Sequence, residues 1–176
     1  MHAEAYQFIK QIADTKVVRE PIIEIGSRNI NGSARDAFSG CKYVGIDIAG
    51  GNGVDVIVDI TKTKAKAHLG KYRTIICTET LEHVPPASIV PAMFDYVSGD
   101  CQIIITCATG KREPHSAIDG GHLRDGEYYD NVNPVELKSL ILANNGNFEC
   151  VVYYEKFNNT NSDLYVYAEL IPKVTN

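Results

Sequence analysis

Several residues of this chain stand at intervals that chemistry uses. Ile22-Ile23-Glu24-Ile25-Gly26-Ser27 reads as an apolar strand running into a glycine turn. Tyr43-Val44-Gly45-Ile46-Asp47 reads as a second strand, ending in a carboxylate about twenty residues beyond that glycine. Gly26 lets the backbone bend sharply and lie against a ligand. A carboxylate at Asp47 can accept hydrogen bonds from both hydroxyls of a ribose and would repel a 2′-phosphate, which is the layout of a nucleotide-type cofactor site. Further along, Glu79-Thr80-Leu81-Glu82-His83 gathers two carboxylates and an imidazole. On one helical turn that set would suit a hard or borderline cation. Arg112, His115, Asp119, His122, Arg124, Asp125, Tyr128 and Tyr129 crowd one later stretch as candidates for substrate contact. His115 or His122 could take a proton from a hydroxyl or amine, since imidazole is the side chain most often used as a general base.

Each of these residues also has a plainer role open to it. A carboxylate such as Glu24 can cap the turn that follows it, and Gly26 can be an ordinary turn glycine. Asp59, just before Thr61, sits where an aspartate caps a helix. Lys62, Lys64, Lys66, Lys71 and Arg73 form a basic patch that reads as the solvated face of a surface helix.

The elements that must position these groups follow from periodicity and punctuation. Ala5, Phe8, Ile9, Ile12 and Ala13 recur at helical spacing over residues 2 to 14. Strands are expected at Pro21–Ile25 and Tyr43–Asp47, with a helix between them starting at Asn31-Gly32-Ser33, ending near Gly40 and turning Ala34, Ala37 and Phe38 inward. A short strand over Val54–Ile60 and a weak helix over Thr61–Leu69 come next. Then follow a buried strand at Arg73–Thr78, a helix opened by Pro85-Pro86 and running to about Val97, and a second buried strand at Cys101–Cys107. Residues Ala108 to Val132, about 25 in number, show no period, as in a lid or binding segment. Asn133-Pro134-Val135-Glu136 has the cap, proline and acid of a helix start, and that helix is expected to reach Ala143. Phe148–Glu155 and Leu164–Ile171 are strand-like runs separated by polar turn residues, too close for a crossover helix, so they must pair antiparallel.

Composition sets the outer bounds. A length of 176 residues suits a single domain, residues 1–176, with a core large enough to need no disulfide or structural metal. Hydrophobic residues make up 44% and charged residues 22%, which excludes the disordered and membrane classes. No apolar run approaches the roughly 18 residues of a membrane span, and Met-His-Ala-Glu-Ala is not a signal peptide, so a cytoplasmic protein is expected. Cys41, Cys77, Cys101, Cys107 and Cys150 include no C-x-x-C pair and read as reduced thiols. A net charge of −5 argues against nucleic acid as the partner.

Over nearly its whole length the chain resembles the class I S-adenosylmethionine-dependent methyltransferases of the small-molecule type. The resemblance rests on Pro21-Ile22-Ile23-Glu24-Ile25-Gly26, on Asp47, on Asp59-Ile60, and on Ile75-Ile76-Cys77-Thr78-Glu79-Thr80-Leu81-Glu82-His83-Val84. It departs where the family's further glycines would stand, at Arg28 and Ile30. A nicotinamide site of the G-x-G-x-x-G type would need glycines at Arg28 and Asn31. The resemblance implies a three-layer Rossmann-like α/β sandwich whose seven-stranded, mostly parallel sheet has its last strand antiparallel. It implies S-adenosylmethionine as cofactor, held by Glu24, Gly26, Ser27, Asp47, Ile48, Asp59, Ile60 and Thr78. The implied reaction is methyl transfer to an oxygen or nitrogen of a small-molecule substrate, with His83, His115 and His122 as the candidate catalytic residues. The Leu-Glu-His-Val run is shared by metal-binding and metal-free relatives; His83 is read as a wall of the pocket, and no metal ligand is assigned. The alternatives are an NAD(P)-dependent oxidoreductase and a methyltransferase-like binding protein without turnover.

Overall fold

The computed structural model describes residues 1–62, 69–143 and 147–174. The expected helix over Thr61–Leu69, with Lys64 and Lys66 of the basic patch, lies largely outside the described residues.

The strands are β1 (Ile22–Ile25), β2 (Tyr43–Asp47), β3 (Val56–Ile57), β4 (Tyr72–Thr78), β5 (Val97–Ala108), β6 (Phe148–Phe157) and β7 (Asp163–Pro172). They form one sheet in the order β3-β2-β1-β4-β5-β7-β6. β1 pairs in parallel with both β2 and β4, whereas β7 runs antiparallel to both β5 and β6. The closing strand thus inserts between its two neighbours. Asn158 makes that reversal possible: its Oδ1 accepts from the amides of Ser162 and Asp163 at 2.9 and 3.1 Å.

Three helices flank the sheet among the described residues: α1 (Ala3–Thr15), α2 (Pro86–Phe94) and α3 (Pro134–Ala143). Because successive side chains on a strand point to opposite faces, the continuous apolar runs of β1, β4 and β5 feed two cores. Ile23, Ile25, Ile75, Cys77, Ile103 and Ile105 pack with α2 and α3, through Val90, Met93, Leu137 and Ile141. Ile22, Ile76 and Ile104 pack on the other face with Phe8, Ile9 and Ile12 of α1. The structure therefore has the three expected layers. Asn133 caps α3, its Oδ1 accepting from Val135 N at 2.9 Å and Glu136 N at 3.3 Å.

Some elements are shorter than the sequence predicts. The helix expected from Ser33 to Gly40 is a single 3₁₀ turn, Ala34–Phe38, capped by Ser33 Oγ. Chain that a longer helix would use is taken by the Asn29 turn, whose Oδ1 accepts from Gly32 N at 2.9 Å. The Arg35 side chain is also drawn away, to Asp55 and the Gly53 carbonyl. β3 is confined to Val56 and Ile57, both exposed at the sheet edge. α2 stops at Phe94, and the sheet resumes at Val97.

Candidate active site

The strand order reverses between β1 and β4. In an open parallel sheet that point leaves a crevice beyond the carboxyl ends of the strands, and ligands bind there. A cavity of about 980 Å³ occupies the crevice. Its walls fall into two halves, one on β1 and β2, the other on the end of β4 and the long loop after β5.

In the first half, Gly26 follows β1 with φ +75°, a left-handed conformation that favours glycine. The amides of Gly26 and Ser27 both donate to the Ile46 carbonyl, at 2.9 and 3.0 Å, which ties the turn to the end of β2. Asp47 therefore stands beside the turn. Its Oδ2 accepts from Arg28 N at 3.3 Å and its Oδ1 from Ala49 N at 2.9 Å. A Cβ on residue 26 would lie 2.0 Å from Thr80 Oγ1, so the glycine is also required for β1 and β4 to end side by side. Thr80 carries no signal in the sequence that would have marked it for this role. Glu24 lies behind the turn, almost fully buried, accepting from Tyr43 Oη at 2.8 Å and Thr78 Oγ1 at 3.3 Å. Burial pushes its carboxyl up to about 7, against the pull of those two hydrogen bonds.

In the second half, Glu79 to Val84 form a tight turn rather than the helical turn expected, with Glu79 at φ +50° and His83 N donating to Thr80 O at 2.9 Å. Glu79 Oε1 accepts from Thr106 Oγ1 at 2.8 Å. Glu82 is completely buried, and neither of its carboxylate oxygens makes a hydrogen bond. Burial and then the charge of Glu79 raise its pKa well above the ordinary range. The imidazoles of His83 and His115 meet edge to face at 5.0 Å between centroids, and the Tyr129 ring completes the cluster at 5.4 and 4.9 Å from them. Burial, reinforced by His115, pushes His83 down to about 4, so its imidazole is neutral near pH 7.

No protein-family model matches the chain, and no curated protein matches it. Solved structures do. The N-methyltransferase NodS from Bradyrhizobium japonicum WM9, in complex with S-adenosylhomocysteine, superposes with a TM-score of 0.64 at 11% identity, covering 97% of this chain and 87% of that one. A 1,6-didemethyltoxoflavin-N1-methyltransferase from Burkholderia thailandensis superposes at 0.63, with 11% identity, over 97% and 79% of the two chains. Magnesium protoporphyrin IX methyltransferase from Synechocystis PCC 6803, with bound S-adenosylmethionine, gives 0.58 at 14% identity over 93% and 78%. The chain has the class I methyltransferase fold.

On this methyltransferase fold the residues expected to hold the cofactor divide. Glu24, Gly26, Ser27, Asp47, Ile48, Asp59 and Thr78 all line the cavity. Ile60 does not, because its side chain is buried in the core beside Ile46 and Leu69. Asp59 realises the plainer reading as well: its Oδ1 accepts from the amide and the hydroxyl of Thr61 at 2.9 and 2.6 Å. Ser27 Oγ is buried without a partner, Asp47 presents a carboxylate, and Ile48 is 76% exposed against the cavity.

The candidate catalytic residues His83, His115 and His122 also line the cavity of the methyltransferase fold. Only His83 and His115 are brought into ring contact; His122 stands exposed on the wall. Of the other loop candidates, Arg112 lines the cavity and is paired with Asp163 at 3.1 Å. Arg124 pairs with Asp119. Met1 and His2 form part of the wall as well, so the chain entering α1 contributes to the site along with the loop.

Proposed function

We propose that residues 1–176 form one catalytic unit that transfers a methyl group from S-adenosylmethionine to an oxygen or nitrogen of a small-molecule acceptor. The observation that carries this reading is the juxtaposition of the Gly26 turn and the Asp47 carboxylate at the strand-order reversal, on the wall of a cavity of about 980 Å³. That volume is at the upper end of what small-ligand sites use. The structural neighbours, solved with the methyl donor or its demethylated product, support the choice of cofactor.

The donor supplies an electrophilic methyl carbon, so the protein has chiefly to hold two reactants in line and exclude water. Asp47 would take the ribose hydroxyls, Ile48 would pack on the base, and Glu24 and Ser27 would face the amino-acid end. His115 and His83 stand where a proton from the acceptor could be received. A net charge of −5 supports a small acceptor rather than nucleic acid. No helix among the described residues is long and apolar enough to cross a membrane. Five unpaired thiols support a reducing compartment, the cytoplasm.

Calorimetry with S-adenosylhomocysteine tests the reading. Wild-type protein is expected to bind it in the micromolar range, and Asp47→Ala to bind about 1 to 3 kcal/mol more weakly, as charge-assisted ribose contacts are lost. Equal affinity in the two proteins would overturn the ribose assignment.

A further inference from the structure

We infer that Arg28 is a further cofactor-binding residue, its guanidinium stacking on the adenine ring across from Ile48. This role rests on the methyl-transfer reading and adds to it a contact that the family's motif does not supply. Where that motif has a glycine, this chain has a long planar cation.

Glycines absent from the turn after β1 reappear on the loop that receives it. Asn29 N donates to Asn52 O at 2.8 Å, which holds the turn against the loop of residues 50–53. A Cβ on residue 53 would lie 2.6 Å from Ser27 O, and one on residue 51 would lie 3.2 Å from both Cγ and Nε of Arg28. Gly51 has no left-handed φ, so its backbone could carry a side chain. What such a side chain would displace is Arg28.

The direction of that side chain selects the part of the ligand it meets. Arg28 N is anchored on Asp47 Oδ2 at 3.3 Å, and from there the side chain lies along Gly51, on the loop that follows Ile48. Arg28, Asp47 and Ile48 all line the cavity. The guanidinium thus belongs with the ribose carboxylate and the exposed Ile48, on the far side from the amino-acid end assigned to Glu24 and Ser27.

Arg19, Arg35, Arg112 and Arg124 are each paired with a carboxylate, whereas Arg28 has no carboxylate partner among the described residues. A guanidinium left free in this way is suited to lie flat on an aromatic ring, and adenine is the aromatic group of the donor. With Ile48 on the other face, the base would be held between a cation and an aliphatic side chain.

The test is calorimetry on the full chain with two ligands, S-adenosylhomocysteine and 5′-deoxy-5′-methylthioadenosine, which keeps the base and ribose but lacks the amino-acid end. Arg28→Ala is expected to bind both about tenfold more weakly than wild type. Arg28→Lys, which keeps the charge without the plane, should recover little of that loss. Gly51→Val should push the guanidinium aside and weaken both ligands, yet add nothing to Arg28→Ala in the double variant. That dependence separates contact with the base from a general loosening of the loop. Should Arg28→Ala not fold, Arg28→Lys and Gly51→Val decide the matter. Unchanged affinity in Arg28→Ala, a loss confined to S-adenosylhomocysteine, full recovery in Arg28→Lys, or a further loss in the double variant each overturn the stacking. Wild-type protein that binds neither ligand overturns the methyl-donor reading itself.

Discussion

The two halves of the cavity are built in opposite ways. The half on β1 and β2 is held by backbone: the Gly26 and Ser27 amides bond to Ile46 O, and the Asp47 carboxylate accepts from the amides of Arg28 and Ala49. The half on the β4 turn and the loop is held by side chains, with His83, His115 and Tyr129 packed ring to ring over a buried, unpartnered Glu82. A backbone-defined half suits a ligand that never varies, and a side-chain-defined half can change its acceptor by changing a few residues.

The largest break in this contrast is expected at Gly26. Gly26→Ala forces a Cβ to within 2.0 Å of Thr80 Oγ1 and keeps a left-handed φ of +75°. It should cost about 2 to 5 kcal/mol of stability and abolish S-adenosylhomocysteine binding. Chemical denaturation and calorimetry check both, and an undisturbed variant would show the β1 turn to be far looser than described.

A smaller effect belongs to Glu24. Its pKa of about 7 in the folded chain lies above the ordinary 4.5, so between those values the folded state holds more protons than the unfolded one. The stability linked to Glu24 is therefore complete below pH 4.5 and is lost as pH rises through about 7, by on the order of 3 kcal/mol. Denaturation midpoints across that range should show a steeper fall in wild type than in Glu24→Gln. Parallel curves would place the titration elsewhere. Asp47→Ala comes next, with its loss of about 1 to 3 kcal/mol in product affinity and little change in stability.

The smallest effect sharpens the contrast from the other side. His115→Ala should leave both stability and S-adenosylhomocysteine affinity within about 0.5 kcal/mol of wild type, because the residue sits on a loop in the other half. Methyl transfer to a hydroxyl acceptor should nevertheless fall. A large loss of product affinity would show that the two halves are coupled.

What the sequence by itself determined is local: the strand that ends at Gly26, the acid that ends β2, the Asn133 cap of α3, and a final pair of strands too close in sequence to be parallel. Period, punctuation and turn chemistry act over a few residues and need no knowledge of the rest of the chain. Only the tertiary structure decided that Ser33 to Gly40 yields one 3₁₀ turn, since the competing pulls on Arg35 come from Asp55 and Gly53. It alone placed Ile60 in the core rather than on the cavity wall, and Thr80 against Gly26. It alone brought His115 to His83 and buried Glu82 without a partner. Burial and side-chain meetings across long sequence separations are properties of the packed whole, and no window of residues contains them.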